Sequence, residues 1–316
     1  MKRLCTWLAL LSITVMFVGC GGCSPQNGDS GNAVKLNGAG ASFPAPLYLK
    51  WFKDYNTQNP IILVNYQAVG SGTGVKSVID ETVDFGASDA AMNEEEIAKV
   101  PGGVQLLPMT AGSIVIAYNL EGVDQLKLSR DAYADIFLGK ITNWNDPKIA
   151  ASNPGVTLPD QKIFVVVRAD SSGTTYVFTK HLSAINQEFA DSIGTSKQPA
   201  WPTGSGAKGN DGVTDTVKET PGAIGYIEYG YAINADIPMA SLENKSGQYI
   251  DPTPESAQAA LASAVMPEDM IVWISDPEGA ADYPIITFTW IICYKHYDSE
   301  AKVKALKDVL SYCLTT

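Results

Sequence analysis

Three stretches of this chain set a short Gly/Ser/Thr turn directly ahead of a helix-like segment: Gly38-Ala39-Gly40-Ala41-Ser42-Phe43, Gly70-Ser71-Gly72-Thr73-Gly74 and Asp170-Ser171-Ser172-Gly173-Thr174-Thr175. Strand, small-residue turn, helix is the α/β rhythm, and its recurrence commits the chain to that class. Each turn leaves the first N–H groups of its helix unpaired, sets hydroxyls beside them and points the positive end of the helix dipole outward. Such ends hold oxyanions. Three of them meeting in one cleft would wrap an anion in neutral dipoles plus the cation nearest in sequence, Arg168.

At 316 residues and 45% apolar composition the chain exceeds one simple core. It suits two lobes of about 100 to 200 residues each. Lys2-Arg3, an apolar run from Trp7 to Val18 and then Gly19-Cys20 read as a secretory signal over residues 1–19. The run falls short of the about 18 apolar residues that a bilayer span needs. Phe17-Val18-Gly19-Cys20 resembles the lipobox of bacterial lipoproteins, which makes Cys20 the expected lipid attachment point and residues 20–33 a flexible tether. Cys20 and Cys23 also have C-x-x-C spacing, but the sequence supplies no second ligand pair for a metal. Whether Cys293 and Cys313 pair after export stays open at this level.

Removal of Lys2 and Arg3 would leave 20 basic against 34 acidic residues, a net charge of −14. That balance argues against a nucleic-acid partner. An anion would have to be held by local dipoles, the long-range repulsion being screened over about 8 Å at physiological salt.

Strands are expected at Val34–Asn37 and Ile61–Val69, and helices at Pro46–Tyr55 and Val75–Val83. The alternation resumes at Ile114–Tyr118, Arg130–Leu138, Ile163–Arg168 and Tyr176–Ala190. Ile163 to Val167 is nearly all apolar, as in a parallel strand covered on both faces, and Ile285–Cys293 is a second such run. The chain would return to its first lobe around Pro284 and close with a helix, Ala301–Leu314, packed through Val303, Leu306 and Leu310. This gives lobe 1 as residues 34–108 plus 285–316 and lobe 2 as residues 109–284. Open α/β sheets bind ligands beyond the carboxyl ends of their strands, where all three turns sit, and Asp84-Phe85-Gly86-Ala87-Ser88-Asp89 ends another short apolar stretch.

Arg168 closes its strand two residues before Asp170, so both side chains project to one side and Asp170 can fix the guanidinium for bidentate oxyanion contact. Ser172, Gly173 and Thr174 would add amides and hydroxyls, although ordinary helix capping uses the same donors. A carboxylate in an anion site, Asp89, makes sense only as the acceptor of a proton that the ligand carries. Phosphate has such a proton near neutral pH; sulfate does not. Enzymatic readings find little to stand on: the two histidines, His181 and His296, are remote in sequence from any candidate nucleophilic serine and read as ordinary surface residues. Gly204-Ser205-Gly206-Ala207-Lys208-Gly209 matches G-x-G-x-x-G but follows Trp201-Pro202, so it reads as a loop, and no P-loop motif occurs.

The chain resembles the PstS family, the phosphate-binding proteins of ABC-type phosphate importers. The match is carried in order by Asn37 to Pro46, Gly70 to Gly74, Val83 to Asp89, Phe137 to Trp144, Arg168 to Thr174 and Pro221 to Tyr226. The resemblance implies a two-lobe periplasmic-binding-protein-like (type II) fold whose lobes close on a desolvated phosphate. Its ligand contacts would be the N–H groups of Ser42 and Phe43, with Ser71, Asp89, Arg168, Ser172, Gly173 and Thr174; Ser42 stands where many members have Thr. It implies an exported, lipid-anchored, monomeric receptor, without enzymatic activity, cofactor or metal, that captures inorganic phosphate and hands it to a membrane permease. A receptor for sulfate or another oxyanion, and a secreted phosphate-ester hydrolase, remain as alternatives. The family's chains continue past the point that corresponds to Thr316, an expected weakness of the first lobe.

Overall fold

The strands of the computed structural model, which describes residues 33–316, are in chain order β1 (Val34–Gly40), β2 (Ile62–Ala68), β3 (Phe85–Ser88), β4 (Val104–Tyr118), β5 (Lys127–Leu128), β6 (Phe164–Arg168), β7 (Ser205–Ala207), β8 (Ala223–Glu228), β9 (Ser241–Glu243), β10 (Tyr249–Ile250) and β11 (Ile286–Tyr294). The signal, Cys20, Cys23 and all but the last residue of the tether lie outside the described residues. Eight strands form one sheet in the order β2-β1-β3-β11-β4-β8-β6-β7, and β10-β9-β5 form a small second sheet. β1 runs parallel to β2 and β3, and β6 parallel to β8 and β7.

β4 ties the halves of the large sheet together. Val104 to Ser113 pairs antiparallel with β11, and Ile114 to Tyr118 pairs antiparallel with β8. The ladder with β11 jumps from Thr110 to Pro108 between Thr289 and Trp290, leaving Met109 as the extra residue. Pro108 has no N–H to contribute there, which is where a bulge is tolerated. The expectation that β11 is a parallel strand is corrected: it is antiparallel to both neighbours. Its apolar run reflects burial on both faces, which does not by itself fix strand direction.

That two-sided burial is visible in the side chains. Ile291 and Cys293 face a cluster with Tyr48, Phe52, Leu36, Leu306 and Leu310, while the alternate residues Trp290 and Ile292 face Val75, Val78 and Leu106. Helices Ala45–Gln58 and Glu300–Thr315 cover the first face and helix Ser71–Ile79 the second. The other half of the sheet holds the largest cluster, with Trp144, Phe137, Phe178 and Tyr226 fully buried. Each such side chain contributes roughly 1.5 to 3 kcal/mol of burial free energy.

The expected helices occur, with shifted ends. The helix placed at 75–83 spans Ser71–Ile79 because the small turn residues are themselves helical. The one placed at 176–190 is two, Gly173–Ile185 and Gln187–Ser192, divided at Asn186, whose side chain accepts the Phe189 N–H at 2.9 Å and caps the second. In the last helix Leu306 and Leu310 are buried as expected, joined by Ala305 and Val309, while Val303 is only half-buried. Cys293 and Cys313 are both buried free thiols, pushed up to about 12 by burial. His296 is exposed, but His181 is buried: its Nε2 meets the Tyr133 hydroxyl at 2.8 Å, and burial lowers its pKa to about 4.

Candidate functional site

β1 ends at Gly40, whose φ of 151° and contact with the Ala87 backbone leave no room for a side chain. The chain turns there and sends Ser42 and Phe43, both buried, beneath the helix that follows. Pro44 and Pro46 start that helix without amide hydrogens, so the donors of this turn are the N–H groups of Ser42 and Phe43. Among the described residues neither has a protein acceptor. Ser42 Oγ accepts two hydrogen bonds at 3.0 Å, from the N–H and the Nδ2 of Asn210, which leaves its own hydrogen to donate inward.

The second and third turns meet the first. Gly72 N–H donates to Ser171 C=O at 2.9 Å, and Ser71 Oγ accepts the N–H of Asp89 at 3.2 Å. Gly173 begins its helix pressed against that junction: a Cβ there would lie 2.5 Å from Ser71 Oγ and 2.9 Å from both Ala90 N and Asp89 Cβ. Ser172 is the helix cap, its Oγ accepting the Thr175 N–H at 3.1 Å, so the ordinary capping role and a place in the cluster coincide.

Arg168 is held as its spacing implied. Nε and Nη2 donate to the two oxygens of Asp170 at 2.8 and 2.6 Å, and Nη1 donates toward Thr174 Oγ1 at 3.4 Å. Burial pushes the Asp170 carboxyl up, but the hydrogen bonds and charge of Arg168 hold it below its ordinary value. Asp170 also accepts the Gly209 N–H at 3.0 Å. Two of the five guanidinium hydrogens are thus committed to Asp170.

Asp89 is 1% exposed. Oδ1 accepts from Thr289 at 3.0 Å and Oδ2 from Thr174 at 3.2 Å, while its carbonyl accepts from Thr287 at 3.3 Å. Burial pushes its carboxyl up to about 6, against the stabilising hydrogen bonds of Thr289 and Thr174 and the charge of Arg168. The turns that reading the chain singled out therefore converge: Ser42, Ser71, Asp89, Arg168, Ser172, Gly173 and Thr174 are all buried and Phe43 adjoins them.

Three neighbours were not foreseen. Thr287 and Thr289, on β11, are separated from Asp89 by about 200 positions, and nothing in a Thr-x-Thr strand marks them. The third, Asn210, lies just beyond the G-x-G-x-x-G stretch, whose reading as a loop is corrected. Ser205–Ala207 forms β7, parallel to β6, and a helix starts at Gly209, so this is a fourth strand, turn and helix. Asn210 is fully buried: it donates to Ser42 Oγ, and to Thr174 Oγ1 at 3.4 Å, while its Oδ1 accepts the Glu228 N–H at 2.9 Å. The strand is three residues long, too short for periodicity to register.

With Arg168 neutralised by Asp170, the ionised Asp89 makes the cluster an acceptor as well as a set of donors. A fully ionised oxyanion would set its lone pairs against those of Asp89, at a cost of a few kcal/mol, whereas one carrying a proton donates it there. Among the described residues no group of three or more His, Cys, Asp or Glu side chains is arranged to hold a metal ion.

A family model described as a PBP superfamily domain matches residues 25–315. The phosphate-binding protein PstS of Pasteurella multocida is 43% identical over 286 residues, covering 89% of this chain and 82% of that protein. PstS of Methanocaldococcus jannaschii is 38% identical over 338 residues, covering 99% of this chain and 86% of that protein. Among solved structures, a phosphate-binding protein of Stenotrophomonas maltophilia superposes with a TM-score of 0.68 at 22% identity, covering 88% of this chain and 83% of that one. The likeness identifies the architecture as the two-lobed, mixed α/β fold of type II periplasmic binding proteins.

Proposed function

The chain belongs to the PstS family of phosphate-binding proteins, and from that premise we propose that it binds inorganic phosphate outside the cytoplasmic membrane and delivers it to an ABC-type permease. The observation that carries the reading is the buried Asp89 carboxyl opposite a fixed guanidinium, inside a ring of amides and hydroxyls from separate loops. Phosphate would take hydrogen bonds from the N–H groups of Ser42, Phe43 and Gly173, the hydroxyls of Ser42, Ser71, Ser172 and Thr174, and Arg168, and would give its proton to Asp89. Asp170 would act through Arg168.

In this reading residues 34–108 plus 285–316 form one lobe and 109–284 the other, and the two part to admit the ligand. The change of β4's partner from β11 to β8 at Ser113–Ile114 supports two halves that meet near that division. Anchoring would come from a lipid on Cys20 after removal of residues 1–19, with a monomer as the working form. No described helix is long and apolar enough to cross a membrane. The protein would act by capture and release, with no cofactor and no catalysis.

Titration calorimetry on protein unfolded and refolded to strip endogenous ligand tests this. One phosphate per chain is expected, with sulfate weaker by about a thousandfold or more, as when a buried acceptor is left facing lone pairs. Equal binding of the two anions would overturn the phosphate assignment, and turnover of a chromogenic phosphomonoester would point to a hydrolase.

A further inference from the structure

Lys197 and Glu96 form an ion pair at 3.0 Å that joins two segments 101 residues apart, one from each proposed lobe. It lies outside the set of groups assigned to the ligand, yet each partner is anchored close to it. The backbone carbonyl of Lys197 accepts the N–H of Ser172 at 2.8 Å, so Lys197 is tied to the third turn by its main chain. Glu96 is tied by its second oxygen, which accepts the Asn93 N–H at 3.0 Å while Asn93 Oδ1 accepts the Glu96 N–H at 2.8 Å, a reciprocal box that opens helix Glu94–Ala98. That helix follows directly on the Asp89 strand end.

Both side chains are largely covered, 18% exposed for Lys197 and 23% for Glu96, so solvent screens the pair less than it would a free surface pair. The contact exists only when the two segments are together.

We infer that the Glu96–Lys197 pair is a clasp across the cleft that sets how long phosphate is held, with Lys197 a positioning residue for the turn at Ser172 to Thr174. The inference rests on the proposed phosphate binding by two closing lobes. A contact that spans the two segments stabilises the state in which they are together, so it acts chiefly on dissociation, the usual place for affinity tuning within one interface.

Stopped-flow dissociation and association of inorganic phosphate would be measured on the full chain, on Lys197→Gln, on Glu96→Gln, and on the double variant. Glutamine at 96 keeps an oxygen for the Asn93 N–H, and Lys197 retains its carbonyl whatever its side chain. Each single variant is expected to release phosphate about five- to tenfold faster with little change in the association rate, and the double variant no faster than the worse single one, since one interaction is lost once. Raising salt is expected to speed release from the unaltered chain more than from the variants. Unchanged release rates, or single effects that multiply in the double variant, would overturn the clasp. So would a fall in the ligand-free unfolding temperature matching the change in release, which would make the pair a structural contact only. If the unaltered chain binds sulfate and not phosphate, the function assigned above fails and the clasp with it. Normal phosphate binding with no coupling removes the clasp alone.

Discussion

Gly173→Ala adds one methyl group where the parts of the site touch, and it is expected to weaken binding more than folding. Gly173 does not have a positive φ, so alanine suits the backbone and gains up to about 1 kcal/mol of helix propensity, but crowding against Ser71 Oγ at 2.5 Å and the Ala90 backbone N at 2.9 Å opposes that gain in the ligand-free protein. The same methyl would lie 2.5 Å from Ser71 Oγ and 2.9 Å from the Asp89 Cβ, so these must retreat by about 1 Å to reach ordinary contact, roughly 3.5 to 4 Å. That displacement moves a hydroxyl donor and the carboxylate acceptor away from the ligand together. Loss of one or two hydrogen bonds to a charged partner at about 1.5 to 3 kcal/mol each predicts affinity lower by about 10- to 10⁴-fold. Calorimetric titration with phosphate, paired with urea unfolding in phosphate-free buffer, measures both numbers. Unchanged affinity in a variant of normal stability would show that closure over Gly173 is not what the ligand experiences.

Arg168→Ala is expected to weaken phosphate binding by roughly 2 to 5 kcal/mol in the same titration, because it removes a buried charged donor and leaves Asp170 without its partner. Asp89→Asn is expected to narrow the preference for phosphate over sulfate in competition titrations, since an amide can donate to sulfate. The same substitution tests a pH effect. With the native Asp89 titrating at about 6 and its ordinary value at 3.8, the native state holds the extra proton between these values. Stability of the ligand-free protein should therefore fall as pH rises from about 4 to about 6, by up to ~3 kcal/mol. Urea midpoints across that range should flatten in Asp89→Asn, and an unaltered slope would exonerate this carboxyl. Asn210→Ala should cost binding about 1 to 3 kcal/mol by freeing Ser42 Oγ and Thr174 from their shared donor, read by calorimetry.

What the sequence made legible was local chemistry. The turns at Ser42, Ser71 and Thr174 could be read because each concentrates small and hydroxylated residues at a strand end, and Arg168 with Asp170 because alternate strand residues share a face. Residues that enter from far away could not be read in this way. Thr289 reaches Asp89 because β11 returns to lie beside β3, a topology that no local pattern encodes. Asn210 was hidden by a three-residue strand, and His181 by a helix face whose burial comes from Tyr133 and the elements around it. The direction of β11 was hidden for a related reason: covering on both faces gives the same apolar run whether neighbours are parallel or antiparallel.

Among the described residues the strands of the large sheet connect its halves at Ser113–Ile114 and at Ile285–Ile286, and these are bonded side by side, with Ile114 N–H donating to Ile285 C=O at 2.9 Å and Ser113 opposite Ile286. A two-stranded strip of this kind bends and twists more readily than the wider sheet on either side of it. If the two proposed lobes move about that strip, a membrane partner touching both at once would sense a bound ligand from their relative angle alone.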